Sequence, residues 1–116
     1  MAIYQLIYVS SATETFTREK FLDMAFVMSS ENTKVGITGM LVFKDGNFME
    51  VLEGEELAVK ALFGKIEQDS RHTLVSVIQE GEISTREYPS WAMTFYNPQT
   101  EEYEHVGSPI QWQDKL

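Results

Sequence analysis

Apolar and polar positions along the chain mark out short strands with two helical stretches between them. Residues 2–9, AIYQLIYV, place Tyr4, Leu6 and Tyr8 on one face and Ile3, Gln5, Ile7 and Val9 on the other. Both faces are largely apolar, which predicts a central strand. After the polar connection SSATETFT, Thr17 is placed to cap a helix over about 18–30, in which Phe21, Met24, Ala25 and Met28 recur at helical spacing. VGITGMLVF (35–43) predicts a second strand. KDGN follows it, and Asp-Gly suits a tight turn with positive φ, so GNFMEVLEG (46–54) returns as the second arm of a hairpin. A second helix over 55–68 buries Val59, Leu62, Phe63 and Ile66, with Gly64 its weakest point. TLVSVIQEG (73–81) and SWAMTFY (90–96) predict the fourth and fifth strands.

This order predicts an α+β fold: a ferredoxin-like βαββαβ sheet with an added fifth strand. Right-handed crossovers put both helices on one face, and the groove between them is the natural ligand cleft. The remaining YNPQTEEYEHVGSPIQWQDKL is acidic and interrupted by Pro98, Gly107 and Pro109. The expected division is a domain over 1–96 and an acidic tail over 97–116 with at most short structure.

Composition narrows the chemistry. The 116 residues suffice for one domain with a true core, and the absence of cysteine removes disulfides, thiolate metal sites and thiol nucleophiles together. Eighteen acidic against nine basic residues give a net charge of −9, which repels nucleic acid and anionic membrane. An anionic ligand would need a local basic site. No apolar run approaches the about 18 residues of a membrane span, and no basic stretch precedes an apolar run at the N-terminus, so a soluble, cytoplasmic chain is expected. His72 and His105 are far apart and lack a spaced partner, which predicts no metal site. Neither a glycine-rich phosphate loop nor a nucleophile elbow occurs, and no enzyme activity is expected.

One position breaks the strand pattern. Glu50 stands between Met49 and Val51, where a buried, unpaired carboxylate would cost several kcal/mol. Either the hairpin is half exposed there, or the carboxyl is buried and finds a donor or a proton. Tyr8, Glu50 and Trp91 with Met93 lie on three strands at positions that can share the helical side. A buried tyrosine on its own is an ordinary core residue with a satisfied hydroxyl. DSRH gathers Asp69, Arg71 and His72 in one turn, which by itself suits a helix end with a surface ion pair. Asn32, in ENTK, suits a helix C-cap. If the two helix ends face each other across the groove, they offer an amide, a guanidinium and Lys34 to a planar polar ligand.

LIYVSSAT (6–13), ENTKVGITGMLVFKDGNFMEVLEG (31–54), IEQDSRH (66–72) and YPSWAM (88–93), in that order, resemble the BLUF family of blue-light sensors that use FAD. The resemblance covers about residues 3–96 and implies the ferredoxin-like fold, with a flavin, FAD or FMN, between the helices. It implies that Tyr8 is the photoactive tyrosine, which passes an electron and then a proton to the excited flavin. Asn32 would pin the pyrimidine edge of the ring, Arg71 would lie near its carbonyl, and Met24 and Ile66 would sandwich it. Asp69 and His72 complete the same turn, Trp91 and Met93 would carry the signal outward, and Lys34 and Arg71 would supply local positive charge. The implied partner is a downstream signalling protein, with a homo-oligomer open.

Two positions depart from the family pattern. Glu31 replaces a polar residue, often asparagine or histidine, and Glu50 replaces the glutamine whose amide rearrangement defines the signalling state. A glutamate cannot rearrange an amide. The expectation is therefore a neutral Glu50 that relays a proton between Tyr8 and the flavin and alters the photocycle. Two other readings compete. A photochemically silent flavin-binding or protein-interaction domain draws on Glu50. An acylphosphatase-like hydrolase needs a phosphate loop after the first strand, where SSATETFT has neither glycine nor arginine.

Overall fold

A computed structural model describes residues 2–107. The elements are β1 (Ile3–Ala12), α1 (Arg18–Lys34), β2 (Thr38–Lys44), β3 (Asn47–Gly54), α2 (Glu56–Gln68), β4 (His72–Ile83), β5 (Ala92–Asn97) and β6 (Glu102–Gly107). They form one sheet in the order β4-β1-β3-β2-β5-β6, antiparallel throughout except where β5 runs parallel to β2. The ferredoxin-like core is thus extended by two strands beyond β2.

The strand faces follow the alternation of the sequence. Tyr4, Leu6 and Tyr8 of β1 join Leu52 of β3, Val59 and Ile66 of α2, Ile37 and Trp91 in one cluster. Phe21 and Ala25 of α1 cover a second cluster of Leu41, Phe43, Phe48, Met93 and Phe95, closed by Phe16. Both helices therefore pack on the same face. The opposite face carries half-buried Ile7, Val9, Met40, Val42 and Met49.

Local chemistry sets the boundaries. The side chain of Thr17 accepts from the Lys20 backbone N–H at 3.1 Å and caps α1. Thr17→Ala should lower stability by about 1 kcal/mol in urea unfolding without changing the cavity described below. In the β2–β3 turn Asp45 and Gly46 both have positive φ, 51° and 79°, the pair of conformations that matches hairpin twist. Where β2 crosses close to β3, a Cβ on Gly39 would lie 1.8 Å from the Val51 carbonyl oxygen, so only glycine fits.

Two expectations need correction. α1 does not stop near residue 30 but continues through ENTK to Lys34, because nothing before Gly36 breaks it; Val35, not Asn32, is its C-cap. The stretch expected to be a tail also contains β6, paired with β5 through a turn in which Asn97 Oδ1 accepts from the Gln99 N–H at 2.9 Å. Tyr96 and Tyr103 face each other across that hairpin with ring centroids 5.0 Å apart, and Lys44 Nζ lies 4.6 Å from the Tyr96 ring. Residues 108–116 of the expected tail lie outside the described residues.

Candidate functional site

Register brings the two most informative side chains together. Tyr8 of β1 is directly opposite Glu50 of β3, and the shared side of the pleat turns both toward the helices. Glu50 is completely buried, at 0% exposure, which excludes the half-exposed hairpin. The Tyr8 hydroxyl donates to Glu50 Oε1 at 2.5 Å, while Glu50 Oε2 is buried without a hydrogen-bond partner in the protein. Burial pushes the Glu50 carboxyl up to about 7, against the opposing pull of the Tyr8 hydrogen bond. Burial, and next the neighbouring Glu50 charge, also push the Tyr8 phenol far upward.

A cavity of about 110 Å³ opens beside this pair, between Met24 and Met28 of α1 and Leu62, Lys65 and Ile66 of α2. Tyr8 and Leu41 form its floor, and Asp69, Arg71 and His72 line one end. Two grooves share its walls: one of about 490 Å³ shares Met24, Met28 and Arg71, and one of about 240 Å³ shares Leu62 and Lys65. Asn32 lines both grooves. The enclosed part alone is below the about 300 Å³ at which ligand pockets begin, and the adjoining grooves bring the interhelical slot into that range. Met24 and Ile66 are thus found on opposite walls of one slot, where apolar side chains can pack on the two faces of a planar ligand.

Asn32 lies in the last turn of α1 with its side chain buried and its Nδ2 unpartnered. The capping role is filled instead by backbone: its carbonyl accepts from the N–H groups of Val35 and Ile37. Asp69 is the C-cap residue of α2, and its carboxylate accepts from Arg71 Nε at 3.0 Å and from Arg71 Nη2 at 2.5 Å. Those bonds from Arg71 hold the Asp69 carboxyl down at about 2. A helix end with an ion pair was therefore correct for these two, and both still face the cavity. His72 is different: it begins β4, its Nδ1 lies 2.7 Å from Ser10 Oγ, and its ring packs on Phe48 at 4.8 Å between centroids. Burial lowers its basicity.

Trp91 sits just before β5, in the same apolar cluster as Tyr8, and its indole Nε1 donates to the Ile37 carbonyl at 3.1 Å. Met93 packs in the other cluster, against α1. Lys34 is not brought to the slot: it pairs with Glu31 at 3.2 Å and lines a separate, more open hollow of about 590 Å³ with Phe26, Trp91 and Met93. The reason is the longer α1, which carries Lys34 past the groove. Lys65 takes that place in the wall, a residue the sequence reading passed over although its spacing from Leu62 puts it on the same helix face. Leu41 and Ser10 were likewise missed, because nothing in their local sequence distinguishes them from ordinary strand residues. Among the described residues no group of His, Cys, Asp and Glu is arranged to hold a metal, and no helix is long and apolar enough to cross a membrane.

The chain is similar to several light-responsive proteins. The β subunit of photoactivated adenylate cyclase from Euglena longa is 38% identical over 93 residues, which are 77% of this chain and 10% of that protein. The blue light- and temperature-regulated antirepressor BluF of Escherichia coli K12 is 34% identical over 67 residues, 58% of this chain and 17% of that protein. The chain thus spans about a tenth of the length of the cyclase subunits it matches. Among solved structures, a bacterial light-regulated adenylyl cyclase superposes with a TM-score of 0.76 at 30% identity, over 97% of this chain and 31% of that one. BlrB, a BLUF protein in its dark state, superposes with a TM-score of 0.73 at 26% identity, over 81% and 71% of the two chains. The family model for sensors of blue light using FAD matches residues 3–94. With that match over most of its length, on a sheet and two helices built like those of its neighbours, the chain belongs to the BLUF family.

Proposed function

We propose that this domain is a blue-light sensor in which Tyr8 is the electron donor and Glu50, in place of an amide, is the proton relay. The observation that carries the reading is the pair of buried, unpartnered polar atoms, Asn32 Nδ2 and Glu50 Oε2. A folded protein rarely leaves two such atoms without partners, and a flavin offers the carbonyl and ring-nitrogen groups that would satisfy them. The residues present therefore fit the family's cofactor. Met24 and Ile66 would hold the faces of the ring and Asn32 its polar edge, with Asp69, Arg71 and His72 at the end of the slot that they already line. When bound, the flavin supplies a chromophore that accepts an electron on absorbing blue light. FAD and FMN share that ring, and the slot residues do not choose between their tails.

The proton chemistry belongs to the chain. In the neutral acid, Oε1 accepts the Tyr8 hydrogen bond while Oε2 carries a proton that has no acceptor in the protein. A carboxyl in that state receives a proton on one oxygen as it releases one from the other, which a glutamine side chain cannot do without changing tautomer. Loss of an electron makes a phenol strongly acidic, so the Tyr8 proton has an immediate acceptor 2.5 Å away. The dark return should be fast for the same reason.

Light-minus-dark absorption of the flavin-loaded protein tests this. The expected result is a short-lived signal that decays with a solvent deuterium isotope effect, and a red shift of the usual family kind that is small or absent. A stable red shift would overturn the relay. A loaded protein with no light response at all would favour a silent flavin-binding or interaction domain, for which Glu50 is also the specific observation. The downstream partner is proposed to be a signalling protein, as the fusion of related domains to cyclases suggests.

A further inference from the structure

A second fully buried carboxylate lies on the opposite face of β3. Glu53 is 0% exposed and is paired across β1 with Gln5, away from the helices. Its Oε2 accepts from Gln5 Nε2 at 2.8 Å and from the Glu87 backbone N–H at 3.1 Å, and its Oε1 accepts from the Tyr88 backbone N–H at 2.8 Å. The last two donors belong to the 84–91 connection between β4 and β5. That connection is fastened a second time by half-buried Arg86, whose guanidinium donates to Thr38 Oγ1 at 2.7 Å, to the Glu53 carbonyl at 2.9 Å and to the Gly36 carbonyl at 2.8 Å. A third fastening is Trp91 Nε1 on the Ile37 carbonyl.

The Arg86 and Trp91 fastenings converge on one short segment, while Glu53 holds the middle of the connection between them. Gly36, Ile37 and Thr38 follow the end of α1, and the Ile37 N–H itself donates to the carbonyl of Asn32. The Asn32 side chain belongs to the slot, the Ile37 carbonyl holds Trp91, and Gly36 and Thr38 hold Arg86. Trp91 packs inward in the Tyr8 cluster and outward along the hollow that also contains Phe26 and Met93. A carboxylate buried among three N–H donors is costly to disturb, because any donor withdrawn leaves charge without compensation. The connection is therefore held in one position rather than packed loosely on the sheet.

We propose that Glu53 and Arg86 are positioning residues that together form a latch on the 84–91 connection, setting Trp91 in its inward place from the far side of the sheet. The positioning stands whether or not the slot holds a flavin. Its use as an output path, in which a change at Asn32 reaches the surface by way of Ile37 and Trp91, rests on the photoreceptor reading.

The test is hydrogen exchange at the Trp91 indole N–H, followed by NMR in the full chain with Trp112→Phe, which leaves Trp91 as the one indole. Glu53→Gln keeps the shape but offers one acceptor oxygen to three donors, and Arg86→Gln removes the fork without burying a new charge. Each should speed indole exchange by about tenfold or more, while the core amides of β1, β3 and α2 change by less than about twofold. Unchanged indole exchange in both variants would overturn the latch. So would an increase shared equally by all core amides, since that is the mark of a general brace. If Glu53→Gln fails to fold, Arg86→Gln decides alone. In the FMN-loaded chain, illumination should alter Trp91 exchange in the parent and not in Arg86→Gln. A loaded parent that shows no light effect would count against the photoreceptor reading while the dark comparison still judges the latch.

Discussion

Replacing Tyr8 with Phe should leave a protein that still takes up flavin in the dark and no longer responds to blue light. The ring contributes its apolar faces to the slot and to Phe63, whose centroid is 5.5 Å away, and phenylalanine keeps both. What disappears is the hydroxyl, and with it the readily oxidised phenol and the proton 2.5 Å from Glu50. The cost in stability is about 2 kcal/mol, the scale of a buried hydrogen bond to an ionisable partner. It should also depend on pH. The Tyr8 hydrogen bond is the influence that lowers the Glu50 pKa, so its loss drives the carboxyl further toward the neutral form. The destabilisation should accordingly be larger near pH 8, where the parent carboxyl is charged, than near pH 5. Dark absorption, light-minus-dark absorption and urea unfolding at the two pH values measure the three effects. A light response that survives Tyr8→Phe and is lost in Trp91→Phe would make Trp91 the donor, since it shares the Tyr8 cluster.

The fold and the centre of the site were legible because they depend on alternation and register. Strict placement of Tyr8 and Glu50 on the helical face follows from the period of two once the Asp45-Gly46 turn fixes the hairpin. Glu50 was visible as a violation of that period. What the sequence could not show has equally physical causes. ENTK is compatible with either a cap or a continued helical turn; the continued turn sets Lys34 beside Glu31 and away from the slot, whose wall carries Lys65 of α2 instead. β6 is polar on the exposed side of an edge strand, so its alternation is weak, and the Asn97 turn is its one clear signal. Nothing in the local sequence marks Glu53. Its carboxylate is held by backbone N–H groups 34 and 35 residues away in sequence, which no local pattern encodes.

Glu50→Gln should change both the stability profile and the photochemistry, and in a linked way. A carboxyl whose pKa rises from 4.5 in the unfolded chain to about 7 in the fold binds more protons when folded throughout that interval. Unfolding then releases protons, so this group's contribution to stability falls as pH rises through the window and is least favourable above pH 7. The size of the effect is about 3 kcal/mol, lost between roughly pH 4.5 and pH 8. His72 acts in the opposite sense, because burial lowers its pKa and folding then favours higher pH. Comparing the parent with Glu50→Gln at each pH removes the His72 contribution, which both proteins share. The variant should be the more stable of the two at pH 8, with the advantage shrinking toward pH 5. A difference that does not vary with pH would mean that Glu50 titrates normally, and the neutral relay would fall with it. Photochemistry supplies the second half. Glutamine still accepts from Tyr8 but no longer passes a proton from one oxygen to the other, so the fast return should slow and a stable red shift should emerge on illumination. Should the stability prediction hold and the red shift fail to appear, burial of Glu50 would be right and its place in the light reaction wrong.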